Sequence, residues 1–284
     1  MQEKSIPNWS AFFYFYYLCA KPNNYSMKKF VSTLLLSALC TSFAMAWGGF
    51  GHSAIAYIAE RHLTAKAKAN IERYIDGRSI VYYAAWMDYN RQTPPLDITR
   101  DWHVDYWTDD MRTDADGKPQ PPCNASQIDR IVKEMSDFRE LSDSLVDINI
   151  RFLTHLVGDL HCPVHIDFPL SRPMQVTVEG KPLRVHKMWD GYAISNRHLG
   201  CSPMQLAEIL DIYTPQMIHQ AQQGDPYSWF NETVAAAQRA LEMIPEDKIL
   251  TDENYFDEAA VIAEDRITVA GYRLAAILNS IFDK

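Results

Sequence analysis

Positive charge is scarce in this chain of 284 residues: 27 Lys and Arg face 36 Asp and Glu, a net of −9. That deficit argues against a protein held on nucleic acid by a broadly basic surface. It does not exclude phosphate binding through metal ions, whose charge never shows in a residue count. Cysteine is also sparse, at five, of which Cys19 and Cys40 precede residue 47 and three follow it. Long apolar runs are few: beyond the aromatic run Ala11 to Ala20 there is Phe30 to Phe43, which is too short for a membrane-spanning helix. No repeat, low-complexity tract or block of like charge divides residues 47–284, so that segment reads as one domain. Hydrophobic residues at 47% and charged residues at 22% are globular values.

The apolar run has a specific reading. Lys28 and Lys29 follow Met27, the run comes next, and Ala44-Met45-Ala46 forms a small-residue cleavage site, the layout of a secretory signal peptide over 27–46. Residues 1–26 then read as an over-extended start, and cleavage leaves Trp47 as the new N-terminus. Removing 1–46 leaves 23 basic against 35 acidic residues, a net charge of −12. The expected destination is the periplasm or the medium, with no membrane anchor after cleavage. Cys123, Cys162 and Cys201 remain. Export permits disulfides, and Cys123 with Cys201 is the expected pair because both lie in loop-like sequence; Cys162 reads as a small buried hydrophobe. Asn124-Ala-Ser126 and Asn231-Glu-Thr233 are glycosylation sequons, although the Lys-Lys leader has a bacterial look.

Apolar spacing predicts helices over Ser53–Ile75, Gln127–Leu141, Asp147–His161, Pro203–Gln222, Ser228–Met243 and Glu253–Phe282. Gln92–Thr99 and Thr113–Ser126 read as loops, and Gln175–Val178 with Leu183–Val185 as a hairpin around Glu179-Gly180. The fold class is all-α, a single mainly helical domain with a minor β-hairpin.

Chemistry concentrates in four short stretches: Trp47 to His52, Trp86-Met-Asp88 with Arg91 and then Trp102-His103, His155 to Asp159 followed by His165, and His186 to Asp190. His155 and Asp159 stand four residues apart on a helix, so both side chains leave one face. His186 and Asp190 repeat the offset. Imidazole and carboxylate converging in this way, without thiolate, suit a catalytic rather than a structural zinc site. Taken singly, each has an ordinary explanation: a helix-face hydrogen bond, a satisfied core histidine, a core tryptophan, a helix cap at Asp88 or a surface charge at Arg91. Two such pairs together with the extra His and Asp residues weaken those explanations.

The ordered set W-x4-H, W-x-D-x-x-R, W-H, H-x3-D-x5-H, H-x3-D, beginning at a signal cleavage before Trp, resembles the zinc-dependent single-strand-specific nucleases of fungi and plants, the mung bean nuclease family. The motifs run from Trp47 to Asp190, and the helical remainder fits the α-class domain that this family shares with zinc phospholipase C. The resemblance implies three zinc ions. One is held by Asp88, His103, His155 and Asp159, and a second by His165, His186 and Asp190. A third is held by His52, by Asp159 as a bridge, and by the amino group and carbonyl oxygen of Trp47. The amine must lose its proton to bind, from an ordinary pKa of about 7.7–8.0. The implied substrates are single-stranded DNA and RNA, cut to 5′-phosphorylated products, together with 3′-nucleotides; no stable protein partner is implied. Arg91 matches the family's arginine that neutralises charge on the phosphoryl oxygens.

Two positions depart from the family pattern. Tyr106 stands where an Asp commonly orients the attacking water, which makes Asp105, one residue earlier, the candidate for that role. Val104 replaces an aromatic on which a base stacks, and Tyr106 or Trp107 are possible substitutes. Two alternatives remain open: a zinc phospholipase C-like phosphoesterase and a non-catalytic exported zinc-binding protein. Against the first, His52 lies close to Trp47 and the last motif ends in Asp190 rather than Glu.

Overall fold

The computed structural model describes residues 47–107, 123–167 and 174–284. The expected signal peptide, the upstream segment and most of the Thr113–Ser126 loop lie outside the described residues. Helix α1 (Gly48–Arg61) ends at His62, and α2 (Ala65–Tyr74) restarts where the Thr64 hydroxyl accepts the Ala67 N–H at 3.0 Å. The single helix expected over 53–75 is therefore two, because Thr64 is a better N-cap than a helix interior residue. Short α3 (Trp86–Asn90) and a 3₁₀ segment (Leu96–His103) follow, the latter occupying much of the predicted Gln92–Thr99 loop. Helix α4 (Asn124–Glu134) continues into 3₁₀ turns to Glu140, and α5 (Asp143–Leu160) starts on a Ser142 cap.

Helix α6 (Val185–Lys187) passes directly into a π-turn (Met188–Tyr192) and then α7 (Ala193–Arg197). The segment expected as one helix over 203–222 is split into α8 (Pro203–Leu210) and α9 (Pro215–Ala221). The break is local chemistry: Thr214 must be extended before Pro215, and its side chain then caps α9. Helices α10 (Pro226–Glu242) and α11 (Asp257–Phe282) complete the chain.

Helix α11 forms the spine. Ala259, Ala263, Ile267, Ala270, Leu274, Leu278 and Ile281 are buried along it, at the spacing of one helical face. Gly271 lets α1 approach closely, since a Cβ there would fall 2.6 Å from the Ile58 side chain. The strands are minor. β1 (Asp105–Tyr106) pairs in parallel with β2 (Ile166–Asp167), while β3 (Gln175–Val178) and β4 (Lys181–Arg184) make the expected hairpin, joined in parallel by β5 (Ile249–Leu250). Among the described residues no helix is long and apolar enough to cross a membrane.

The expected Cys123–Cys201 disulfide is not formed; all three described cysteines are free thiols. Cys123 is buried at the start of α4, where its backbone N–H donates to Ser126 Oγ at 3.0 Å. Loop-like sequence on both sides said nothing about proximity, which is what a disulfide requires. Asn124 is also fully buried, which closes the first sequon to a glycan, whereas Asn231 is exposed.

Candidate metal centre

The predicted ligands come from seven elements of the chain. His52 is on the first turns of α1, Asp88 on α3, His103 at the end of the 96–103 segment, and His155 and Asp159 on α5. His165 closes the 3₁₀ turn Pro163–His165, His186 lies on α6 and Asp190 on the π-turn. The His186–Asp190 pair is thus not on one α-helix as expected. The four-residue offset survives the wider turn all the same, and His186 Nε2 stands 3.2 Å from Asp190 Oδ2.

Distances show how tightly the set converges. The Asp159 carboxylate stands 3.2 Å from His52 Nε2, 2.9 Å from His103 Nδ1, 3.2 Å from His155 Nε2 and 3.5 Å from His165 Nδ1. The His52 and His155 rings stack at 4.1 Å, and those of His165 and His186 at 5.0 Å. Room for His52 depends on Gly158, because a Cβ there would come within 2.7 Å of His52 Nδ1. Donor atoms fall into three buried groups, each within 4.8 Å: His52, His155 and Asp159; Asp88, His103 and His155; and Cys162, His165 and Asp190.

Several imidazoles have one nitrogen fixed by a backbone carbonyl: His155 Nδ1 by Ala84, His165 Nδ1 by His103 and His186 Nδ1 by Val164. A ring that donates from Nδ1 presents Nε2 as a lone-pair donor, the arrangement by which proteins orient metal-binding histidines. At the facing ends, both nitrogens of His52, both oxygens of Asp88 and of Asp190, His103 Nε2, His165 Nε2 and Asp159 Oδ1 are buried without a hydrogen bond. Polar atoms left so in a folded interior are costly. Their convergence fits bound cations, and the nitrogen-and-oxygen donor set fits zinc.

Titration follows the same crowding. Burial, reinforced by His155, lowers the pKa of His52, and burial lowers that of His103. Burial opposes charge on His155 too, but Asp159 and Asp88 outweigh it and push the ring up to about 9. Burial would raise Asp159, yet His155 and His165 hold it well below the usual carboxylate range. Asp190 is held low against burial by His165 and His186.

Trp47 is fully buried just before α1, its indole N–H donating to Gly158 O at 2.9 Å. Gly48, at φ +50°, lies so close to the Asp190 carbonyl that a Cβ would meet it at 3.0 Å. The Trp47 backbone lies close enough to the Cys162 sulfur to bear on its proton affinity, which brings the expected amine ligand to the edge of the cluster. Cys162 is the donor that sequence reading set aside. It is buried as expected, but its sulfur stands with His165 and Asp190, and its only sequence signal was its place between Asp159 and His165.

Arg91 is 31% exposed, with Nη1 3.4 Å from Asp88 Oδ1. Asp105 is fully buried beside the cluster, within electrostatic reach of His165 and Asp159; it accepts the Ala125 N–H at 3.1 Å, and burial raises it to about 6. It is not among the residues facing the cleft. That cleft, of about 840 Å³, is lined by His103, His165 and His186 together with Arg91, Arg100, Asp101, Val104, Arg184 and Lys187 among others. Val104 faces it from a nearly buried position.

Comparison with known proteins agrees with the geometry. The sequence is 23% identical to "Endonuclease 4" of Arabidopsis thaliana, covering 90% of this chain and 96% of that one. It is 23% identical to "Nuclease S1" of Aspergillus oryzae (83% and 91%) and 24% identical to "Nuclease P1" of Penicillium citrinum (83% and 97%). The sequence profile described as S1/P1 Nuclease matches residues 47–283, from the tryptophan of the first motif to the last turn of α11, and the chain belongs to the S1/P1 nuclease family.

Proposed function

We propose that this nuclease is a three-zinc phosphodiesterase that cuts single-stranded DNA and RNA to 5′-phosphorylated products and also acts on 3′-nucleotides. The observation that carries the reading is the convergence of orphaned imidazole and carboxylate atoms in one buried cluster, from which His103 and His165 open onto the cleft. Asp88, His103, His155 and Asp159 would hold one ion; His165, His186 and Asp190 a second; His52, Asp159 and the Trp47 terminus the third. Zinc bound there supplies the Lewis acidity that activates water for in-line attack and stabilises the departing 3′ oxygen.

The chain's own residues do the rest. Arg91 reaches the cleft beside Asp88 and pairs with a phosphoryl oxygen as charge builds on it. Carbonyl contacts from Ala84, His103 and Val164 hold three rings in the ligating tautomer. Asp105, held by the Ala125 N–H beside His165 and Asp159, is the residue we assign to orienting the attacking water. Cleavage of a signal peptide before Trp47 exports the chain and frees the amine. We therefore expect a preparation with residues left ahead of Trp47 to carry less zinc and less activity than one beginning at Trp47; equal zinc content would show that the amine is no ligand.

The deciding experiment is incubation of zinc-loaded protein beginning at Trp47 with single-stranded DNA and RNA, with and without chelator. Chelator-sensitive release of 5′-phosphorylated products is expected. Zinc-replete protein that leaves both strands intact would remove the reading and bring phospholipid and phosphomonoester substrates forward.

A further inference from the structure

The cleft carries a charge opposite to that of the chain. Four of its lining residues are cationic, Arg91, Arg100, Arg184 and Lys187, against one carboxylate, Asp101. The molecule beyond the leader nevertheless has 35 acidic residues to 23 basic. The cations come from two stretches of chain, Arg91 and Arg100 from 91–104, and Arg184 and Lys187 from the end of β4 and α6. A second hollow of about 510 Å³, lined by Arg91, Gln92, Asp97 and Arg100, adjoins the first, so Arg91 and Arg100 face both.

Arg100, Arg184 and Lys187 are exposed, and none has an ion-pair or side-chain hydrogen-bond partner among the described residues. That is not for want of carboxylates. Arg61, Arg151, Arg197, Arg239, Arg266 and Arg273 each hold an Asp or Glu. Three unpaired cations gathered on one cleft, in an acidic protein, form a receptor for repeated negative charge. A like-charged cluster raises the energy of the free protein and is relieved only when an anion is bound. Arg91 differs, because it already stands against Asp88 beside the metal ligands.

We infer that Arg100, Arg184 and Lys187 form phosphate subsites flanking the scissile bond, which makes the preferred substrate a strand of several nucleotides rather than a mononucleotide. The inference rests on the nuclease reading above and deepens it. A 3′-nucleotide or a dinucleotide offers the metal centre its one reactive phosphate but leaves these side chains empty. A longer strand lays further phosphates on them, and each contact releases counterions. The local charge thus does for the flanking backbone what the overall charge of the chain works against.

The test compares zinc-loaded wild type with the triple variant Arg100→Gln, Arg184→Gln, Lys187→Gln on a twelve-residue oligothymidylate and on the dinucleotide. A control triple variant, Lys66→Gln, Lys68→Gln, Arg73→Gln, removes the same charge from exposed positions on α2, away from the cleft. Wild type and control are expected to prefer the long strand, and the cleft variant to lose most of that preference at equal zinc content. Salt gives a second readout. At a slope of about −0.7 per phosphate contact on a single strand, three contacts make wild type lose about 20-fold more than the variant in kcat/KM on the long strand between 50 and 200 mM salt. Equal long-to-short ratios and equal salt slopes in wild type and cleft variant overturn the subsites while leaving the nuclease intact. Failure of zinc-loaded wild type to cut either substrate overturns both.

Discussion

Two clusters of buried charge adjoin the C-terminal end of α5, and they are built on opposite terms. At His155 and Asp159, imidazoles and carboxylates crowd together and leave atom after atom without a hydrogen bond. At the C-cap, two residues after Asp159, His161 is equally buried, but its Nδ1 donates to Val157 O at 2.7 Å and its Nε2 accepts from Arg273 at 2.9 Å. Arg273 in turn donates to both oxygens of Glu232 and to Ala221 O, and it lies over the Trp229 ring. Burial and charge are alike in the two places; completeness differs. A closed network needs nothing from outside and reads as structure, while an open one reads as a site whose missing partners are cations.

The comparison breaks most visibly at Asp159, which meets His52, His103, His155 and His165. Asp159→Asn should lower kcat/KM on single-stranded DNA by at least about 100-fold, since losing even an outer partner of a metal ligand costs about 10–100-fold. Bound zinc, counted by elemental analysis, should drop as well; full zinc occupancy would show that the open cluster does not depend on this carboxylate. Gly158→Ala strikes the same cluster without touching a ligand. Its methyl group would sit 2.7 Å from His52 Nδ1 and 3.2 Å from Ile55 Cδ1. Overpacking of this kind costs about 1–3 kcal/mol, readable as a lower urea midpoint in zinc-free protein. Displacement of His52 should also weaken zinc retention on dialysis, and unchanged retention would mean that His52 has room to retreat.

How far these clusters could be read in advance depended on the range of the signal. His155 with Asp159, and His186 with Asp190, are local offsets, so their pairing was legible even though the second runs through a π-turn rather than an α-helix. The spine helix was legible from its apolar face, and the breaks at Thr64 and Pro215 were written in capping and proline chemistry that the broad periodicity overrode. Partnerships across the fold were not legible. Nothing in Cys123 or Cys201 showed that they stand as free thiols, nothing near Cys162 aimed its sulfur at Asp190, and the short β1–β2 pairing that seats Asp105 beside His165 has no sequence period to detect. Arg273 and His161 are 112 residues apart in the chain, and Arg184 and Arg100 become neighbours of one cleft only after folding.

The closed network should fail in the other way, by losing stability without losing metal. Arg273 is 3% exposed while Glu232 is 45% exposed, so removing the cation strands chiefly His161 Nε2 and the Ala221 carbonyl. Arg273→Met should cost about 2 kcal/mol, less than the fully buried ion-pair figure because water reaches Glu232. Urea unfolding of zinc-free protein measures it, and zinc stoichiometry of the loaded protein should stay at the wild-type value. A fall in zinc would tie the network to the site through α5 and erase the contrast.

The finest test is the proton balance of His161. Burial, with Arg273 and Arg266 beside it, holds this ring well below the ordinary histidine value of 6.5, so it stays neutral in the fold. The unfolded chain takes up a proton there as pH drops through 6.5, and the folded chain does not. Its contribution to stability is therefore complete above 6.5 and is lost as pH falls below that value toward the depressed folded pKa. His161→Gln abolishes this titration while keeping a polar side chain for Arg273. Zinc-free wild type should lose about 1.4 kcal/mol per pH unit below 6.5 from this ring, in excess of the variant. Zinc must be absent from both, because acid also displaces metal from the ligand histidines. Parallel stability curves for the two proteins from pH 7.5 to 5.5 would show that His161 titrates normally, and that the network tolerates a charge its geometry gives it no means to balance.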